Sequence, residues 1–313
     1  MIWILALIEP LLFVLTAPLL AGWIKWVKCR LQNRRAPSLL QPYRELAKLF
    51  RKTPVVAHHA SWLFEATPAI LFASMLLAAA VSPFIAVHLP TASIADVIAL
   101  VGFLALGRFF LVLAGMDIGT AFGGMGSSRE ATIASLAEPA MLMAVFALSM
   151  SANTTNLASA IDTILDSGLV LRPSFVFALA GMVLVAIAET GRIPVDNPTT
   201  HLELTMIHEA MILEYSGRHL ALIEWAGEIR LMLYGVLIAN IFFPWGIATD
   251  ITLPALAYGF GAIIAKLMLL GVLLALSETM FAKMRVFRIQ DFLGFAYLLS
   301  LLGMLTHIIL EVG

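Results

Sequence analysis

Cysteine and charge are both scarce in this chain. Cys29 is the only cysteine among 313 residues, so no disulfide can form within the chain. An iron–sulfur cluster needs several thiolates, and this chain is therefore not expected to hold one alone. Charged residues make up only 12% of the sequence, whereas 61% of the residues are hydrophobic. These values lie outside the range of soluble domains and predict an integral membrane protein.

Sequence motifs for metal, nucleotide or nucleophilic chemistry are missing as well. Neither His58 with His59 nor His201 with His208 follows a metal-ligand pattern. The glycine-rich run at 122–128 lacks the lysine of a phosphate-binding loop. We therefore expect no metal site and no bond-making chemistry in this chain alone. Any redox cofactor is expected to belong to another subunit.

Apolar runs recur along the whole sequence at a length that suits a bilayer, because a spanning helix needs roughly 20 apolar residues. We predict an all-α integral membrane protein with about eight transmembrane helices in a single polytopic domain, residues 1–313. The predicted spans are 2–24, 66–88, 94–115, 130–151, 170–189, 220–246, 253–279 and 291–311.

Basic residues are concentrated in alternate loops, and lysine and arginine favour the cytoplasmic side of a membrane. Nine of them lie between Lys25 and Lys52, whereas the loops near residues 88, 153–167 and 250 contain none; Arg172 is the nearest exception. This distribution predicts a multi-pass protein of the inner (cytoplasmic) membrane with both termini on the outer side.

The segment at about 38–52, between the first two predicted spans, has apolar side chains at helical spacing. Leu39, Tyr43, Leu46 and Phe50 form one face, and charged residues occupy the other. The pattern is typical of an interfacial amphipathic helix on the cytoplasmic side. Such a helix either lies on lipid or forms the floor of a cavity shared with a partner subunit, and both alternatives stay open.

A strongly acidic cytoplasmic loop is predicted at about 190–219, between two apolar runs. So much charge at one depth indicates a site for charge or for a polar partner. The charged residues of this loop and its edges are Glu189, Arg192, Asp196, Glu203, Glu209, Glu214 and Arg218.

Ionisable side chains inside the predicted spans cost several kcal/mol unless they are paired or hydrated, so each is a candidate functional residue. Glu224 and Glu228 are four residues apart and share one helix face. Two carboxylates at that separation disfavour joint ionisation, which makes the pair a candidate proton carrier. The alternative is that these groups are buried ion pairs that only fix helix packing. The predicted acidic ladder consists of Glu138, Glu189, Glu224 and Glu228, with Arg108, Lys266 and Arg230 as candidate counter-charges.

Several short segments resemble subunit 1 of respiratory complex I. Residues 188–196 contain Ala-Glu-Thr, Arg-Ile-Pro and Asp196, and residues 213–217 read Leu-Glu-Tyr-Ser-Gly. Leu40-Gln41-Pro42 and Lys48-Leu49 in the amphipathic segment are similar too. The resemblance covers essentially the whole chain.

Within that superfamily the chain is more similar to the membrane subunit of group 4 energy-converting nickel–iron hydrogenases, of the formate hydrogenlyase subunit 4 and hydrogenase-4 component C type. The segments that carry this likeness are 35–38, 44–45, 126–130 and 197–201. These segments depart from the pattern of quinone-linked members, and the departures weaken the expectation of a quinone pocket.

The resemblance implies a subunit that anchors a hydrophilic redox arm and couples its electron transfer to proton or sodium movement in antiporter-like membrane subunits. The implied partners are hydrogenase-like large and small subunits and an iron–sulfur subunit, which would carry iron–sulfur clusters and a nickel–iron centre. The loops at 119–130 and 190–220 would contact that arm. The implied junction residues are Arg129, Glu130, Arg192, Asp196, Glu203, Glu209 and Glu214.

Three alternatives stay open. The first is the quinone-binding subunit 1 of an NADH:quinone oxidoreductase. The second is a free-standing secondary transporter, and the third is a pure assembly anchor. A secondary transporter would need helix-breaking segments at matching positions of two repeats, and the sequence contains no convincing repeat.

Overall fold

A computed structural model describes residues 2–91, 95–167, 172–196, 207–285 and 288–311. Within these ranges the chain is helical, and the described residues form only two isolated β-bridges. A helix pairs its backbone groups internally, as a bilayer requires of a spanning segment. The helices are α1 (Ile2–Leu31), α2 (Gln41–Phe50), α3 (Trp62–Val81), α4 (Val97–Asp117), α5 (Ala121–Ala152), α6 (Leu157–Ser167), α7 (Pro173–Glu189), α8 (His208–Ile212), α9 (Gly217–Leu237), α10 (Leu253–Met280) and α11 (Ile289–Thr306). Short π-helical segments, Ile238–Phe242 and His307–Glu311, extend α9 and α11.

Six of these helices, α1, α3, α4, α5, α10 and α11, are long and apolar enough to cross a membrane. The chain is therefore a multi-pass membrane protein. Two further predicted spans correspond to helices of different character. α7 is apolar but has only 17 residues, and α9 has 21 residues that include three charged side chains in its middle, Glu224, Glu228 and Arg230.

The segment 119–130, which the resemblance implies to be a cytoplasmic loop, instead forms the start of α5 from Ala121 onwards. Thr120 Oγ1 accepts a hydrogen bond from the Gly123 N–H at 3.2 Å and caps the helix. Glycine disfavours helices in isolation, but here it allows close packing. A Cβ atom on Gly126 would lie 2.9 Å from Ala210 Cβ of α8. Tertiary packing thus overrides the low helix propensity, and α5 begins nine residues before the predicted span.

The amphipathic segment forms α2 over residues 41–50, which is shorter than the predicted 38–52. Pro42 and Leu46 are buried, whereas Arg44, Glu45 and Lys48 are exposed. The helix packs against α1 and α9. Its buried face therefore rests on the protein itself.

α9 lies among α1, α2, α3 and α10. Most of its residues from Ile229 onwards are buried, including Arg230, which is 9% exposed. A helix enclosed in this way can carry charged residues because its neighbours keep them away from lipid. This enclosure explains why α9 is less apolar than the helices around it.

Candidate functional site

Arg108 of α4 lies at the centre of a buried charged cluster and is only 4% exposed. Its Nε lies 3.4 Å from Glu130 Oε1, and its Nη1 lies 3.3 Å from Glu138 Oε1. Both acids belong to α5. The Nη2 atom contacts Glu189 Oε2 at the end of α7. One guanidinium thus joins three helices through three carboxylates, and we call these four residues the Arg108 cluster.

The sequence analysis predicts that Glu130 lies in a cytoplasmic junction loop, but the structure places it inside α5. It is 8% exposed and faces Arg108 from within α5. Glu130 and Glu138 are eight residues apart, which is about two helical turns, so both side chains lie on one face of α5. The prediction differs from the structure because it begins the fourth span at residue 130.

A small polar cavity of about 10 Å³ adjoins the cluster and has room for about one water molecule. Glu130 and Glu189 line it together with Asp196, His208 and Arg230. Burial lowers the pKa of His208 to about 3, and the charge of Arg230 acts in the same direction. His208 is therefore neutral at physiological pH.

The charges around this cavity do not balance. Among the described residues, the three carboxylates of the Arg108 cluster are accompanied by two guanidiniums, those of Arg108 and Arg230. Asp196 has its own cation, because Lys283 Nζ donates to its Oδ1 at 2.9 Å. With all of these groups ionised, the Arg108 cluster together with Arg230 carries one net negative charge.

Glu138 differs from the other members of the cluster in its exposure. Its side chain is 36% exposed, compared with 5% for Arg108 and 2% for Glu189. A partly exposed carboxylate within a long apolar helix requires water or a polar partner. The cluster therefore extends from a buried centre to an accessible position at Glu138.

A second acidic site lies between α2 and α9. Glu228 Oε2 is buried and has no hydrogen-bond partner within the described ranges. Glu224, one turn earlier, is exposed to the adjoining cavity of about 260 Å³. The cavity is lined by Pro42, Glu45, Leu46, Lys48, Leu49, Lys52, Glu224 and Glu228. The predicted carboxylate pair thus faces a cavity on which α2 forms one wall.

A third cluster centres on Glu278, which the sequence prediction does not include. Glu278 is 5% exposed near the end of α10. It accepts hydrogen bonds from Lys28 Nζ at 2.6 Å and from Arg192 Nη1 at 3.2 Å. Lys28 and Glu278 are 250 positions apart, so local spacing could not reveal the pair. The available signal was that Glu278 is the only acid in the predicted span 253–279.

The other predicted site residues are dispersed. Glu214 is exposed, Arg129 and Glu209 are half-buried, and Glu203 lies outside the described residues. Lys266 is not placed beside the predicted carboxylates. Its Nζ donates to the Phe243 carbonyl at 2.7 Å, with the Ala239 carbonyl at 3.3 Å and Asn240 Oδ1 at 3.4 Å. This lysine therefore satisfies the end of the π-helical extension of α9, which corrects its expected role as a counter-charge.

The chain is similar to known proteins over most of its length. The family described as NADH dehydrogenase matches residues 2–309. Formate hydrogenlyase subunit 4 of Escherichia coli (strain K12) is 31% identical over 280 residues, which cover 90% of each chain. Hydrogenase-4 component C of the same organism is 32% identical over 295 residues, which cover 94% of this chain and 92% of the relative.

More distant similarity reaches other respiratory proteins. An NADH-quinone oxidoreductase subunit of Thermomicrobium roseum is 28% identical over 252 residues, with 71% of this chain and 73% of the relative covered. A chain of the membrane-bound sulfane sulfur reductase, an archaeal respiratory membrane complex, has a TM-score of 0.81 at 18% identity. The match covers 97% of this chain and 98% of that one. At this identity the structural match establishes a shared fold.

Proposed function

Because the chain belongs to the NADH dehydrogenase subunit 1 family, we propose that it is the membrane-anchor and coupling subunit of a complex I-like oxidoreductase. The family predicted from the sequence motifs is thereby confirmed. The names of the relatives at 31% and 32% identity favour a formate hydrogenlyase or group 4 hydrogenase as the host complex. In that complex, electron transfer in a cytoplasmic arm would drive proton or sodium movement in antiporter-like membrane subunits.

We further propose that α7 and α9 also cross the membrane, which gives eight spans. The 17 residues of α7 extend over about 25 Å, close to the hydrocarbon thickness of about 30 Å. The basic residues between Lys25 and Lys52 favour the cytoplasm for the side that carries α2. Both termini then face outward from the inner membrane, and α2 lies at the cytoplasmic interface.

The Arg108 cluster is the observation that best supports the proposed coupling role. A single guanidinium bound to three carboxylates can redistribute its contacts when one acid gains or loses a proton. Glu189 lies at the cytoplasmic end of α7 in the proposed orientation, whereas Glu138 lies at an accessible position. A change in protonation at the first therefore alters the contacts of the second. We propose that Glu138 passes this change to a neighbouring membrane subunit.

The carboxylate pair of α9 forms the input side in this proposal. Glu224 and Glu228 line the cavity under α2, on the side where the arm would dock. The junction with that arm is proposed to include Arg129, Arg192, Asp196, Glu209 and Glu214. Its partners would be hydrogenase-like large and small subunits and an iron–sulfur subunit, which would hold the iron–sulfur clusters and the nickel–iron centre.

Quinone binding is the second candidate function, because the cavity of about 260 Å³ under α2 is a pocket at the proposed interface. Quinone carbonyl oxygens accept hydrogen bonds, which Lys48 and Lys52 in this cavity can donate, whereas Glu224 and Glu228 are acceptors when ionised. The cavity alone therefore does not decide between the two functions. We favour the hydrogenase-type complex because of the relatives at 31% and 32% identity, and we assign no step of the coupling to a quinone.

The experiment that tests membership is purification of the tagged chain from its native membrane in mild detergent. Mass spectrometry would identify the accompanying proteins, and the sample would be assayed for nickel, iron and quinone. We expect nickel–iron and iron–sulfur subunits together with antiporter-like subunits. A solitary protein would contradict the proposal, and stoichiometric quinone without nickel would replace it with the quinone-linked alternative.

A further inference from the structure

A separate cavity of about 220 Å³ opens between α1, α7, α9 and α10 and takes no part in the proposed coupling. Its walls are almost entirely apolar, and we call it the lateral groove. Leu20 and Ile24 form one wall, and Val183 forms part of the opposite wall. Leu273 also lines it and is 52% exposed. The lateral groove therefore opens sideways, towards the surroundings of the helices.

The depth of the lateral groove corresponds to one leaflet of a bilayer. Along α10 its lining extends from Leu267 to Ser277, ten residues or about 15 Å. This is half of the hydrocarbon thickness of about 30 Å. A transmembrane helix of a partner would need a groove through the whole thickness. The dimension instead suits a single lipid chain, provided that α7 and α9 cross the membrane as proposed above.

Basic side chains lie just beyond one end of the lateral groove, on the side that carries α2. Lys28 is one helical turn after Ile24, and Arg192 is two residues after Thr190, both of which line the groove. The side chains of Lys28 and Arg192 are 23% and 22% exposed. They share one carboxylate, that of Glu278, so this triad has one positive charge in excess.

The polar groups inside the lateral groove are already satisfied. Thr190 Oγ1 donates to the Ala186 carbonyl at 2.6 Å, and Ser277 Oγ donates to the Leu274 carbonyl at 2.8 Å. A polar headgroup would therefore gain little from entering the groove, whereas a hydrocarbon chain would cover its apolar walls. Basic groups at the interface end of a cleft between helices favour an anionic headgroup.

We propose that the lateral groove binds one acyl chain of an anionic phospholipid, whose phosphate lies beside Lys28 and beside Arg192, where the groove meets the edge of the proposed arm junction. The lipid would close the gap between α7 and α10 and would contact Leu273 from the side.

The test is native mass spectrometry of the full chain, purified with the subunits that accompany it and titrated with phosphatidylglycerol or phosphatidylcholine. We expect phosphatidylglycerol to be retained preferentially. Leu270→Trp places a larger side chain in the lateral groove and should abolish the bound lipid. Leu269→Trp is the matched control, because Leu269 is 62% exposed and does not line the groove. Equal retention in both variants would overturn the proposal, as would the absence of bound lipid from the unmodified protein.

The charge requirement has its own control. Lys28→Gln should weaken phosphatidylglycerol binding about fivefold, which corresponds to about 1 kcal/mol for one basic residue near the membrane surface. Arg30→Gln, which alters an exposed residue at the same end of α1, should leave binding unchanged. A photo-reactive residue at position 273 should cross-link to lipid. Cross-linking mainly to another polypeptide would contradict the lipid assignment and identify a partner helix instead.

Discussion

The Arg108 cluster and the α9 carboxylate pair place the same residue type in opposite surroundings. In the cluster, Glu130, Glu138 and Glu189 all contact one guanidinium. In the pair, Glu228 Oε2 is buried without a hydrogen-bond partner in the described part of the chain, and Glu224 faces a cavity. The first arrangement binds helices together, whereas the second leaves its acids available to an incoming proton.

Because of this difference, substitutions in the Arg108 cluster should mainly lower stability, whereas substitutions in the α9 pair should mainly impair coupling. Removing one member of a buried ion cluster leaves other charges unpaired in a medium that solvates them poorly. Within the described residues Glu228 forms no direct ion pair, so removing its charge leaves no directly paired cation behind. Stability and coupling should therefore respond differently to substitutions in the two regions, and the following predictions run from the largest expected effect to the smallest.

The largest effect is expected from Arg108→Gln. The substitution leaves three carboxylates without their common cation and should lower the free energy of unfolding by about 3–5 kcal/mol. The measurement is thermal unfolding in detergent, together with the amount of protein in the membrane. Arg218→Gln, at an exposed position, is the matched control and should behave like the unmodified protein. Equal stability of the two variants would show that the cluster does not hold the helices together.

Glu228→Gln should have the opposite profile. Because Glu228 forms no direct ion pair with a described residue, the unfolding free energy should change by about 1 kcal/mol or less. Ion transport per electron should fall on the order of 100-fold if the carboxyl group transfers protons. The measurement is charge movement by the purified complex in liposomes. Glu45→Gln is the matched control, because Glu45 lines the same cavity but is an exposed residue of α2. This variant should retain transport. Normal transport by Glu228→Gln would remove this residue from the pathway.

Glu278→Gln tests the third cluster, in which one acid pairs with two cations, Lys28 and Arg192. Its expected effect on stability lies between those of Arg108→Gln and Glu228→Gln. The neutral amide would weaken both charged hydrogen bonds, and we expect a loss of about 1–3 kcal/mol in the unfolding free energy. Asp291→Asn is the control, because Asp291 is exposed at the start of α11. If both variants unfold alike, Glu278 does not connect α1 to α10 and to the loop after α7.

At neutral pH the smallest effect is expected from His208, whose pKa is lowered to about 3 by burial from an ordinary value near 6.5. The unfolded chain takes up a proton below about pH 6.5, but the folded chain does so only near pH 3. Stability is therefore independent of this group above about pH 6.5 and falls as the pH drops further, by up to about 1.4 kcal/mol per pH unit, because only the unfolded chain binds the proton. His208→Gln should flatten the dependence of thermal stability on pH between 6.5 and 5.

His58→Gln provides the matching control for the pH experiment, because His58 is exposed and its substitution should leave the slope intact. A slope that persists in His208→Gln would assign the acid sensitivity to other groups.

The sequence predicted structure best where all the residues that define a feature lie in one short segment. The helical spacing of Leu39, Tyr43, Leu46 and Phe50 predicted α2, although the helix is shorter at both ends. The cost of a charge in a bilayer identified Arg108, Glu138 and Glu189 one by one. Their common contact depends on how three helices pack, which no local pattern specifies.

Long-range packing also explains what the sequence missed. Glu130 was assigned to a loop because the predicted fourth span began at residue 130, whereas the glycine-rich segment before it is helical and packs closely against α8. The Thr120 cap was a local signal that could have corrected this boundary. Lys28 and Glu278 are too distant in sequence for any spacing rule, and their pairing became visible only in the folded chain.

The most direct test of the central claim measures hydrogen evolution and charge movement together, in liposomes that contain the assembled complex. Glu189→Gln alters the Arg108 cluster, and Glu224→Gln alters the α9 pair. We predict that both variants, once assembled, retain electron transfer to hydrogen but lose most of the charge moved per electron. If each variant evolved hydrogen and moved charge as the unmodified complex does, the two acidic sites would not form the coupling route.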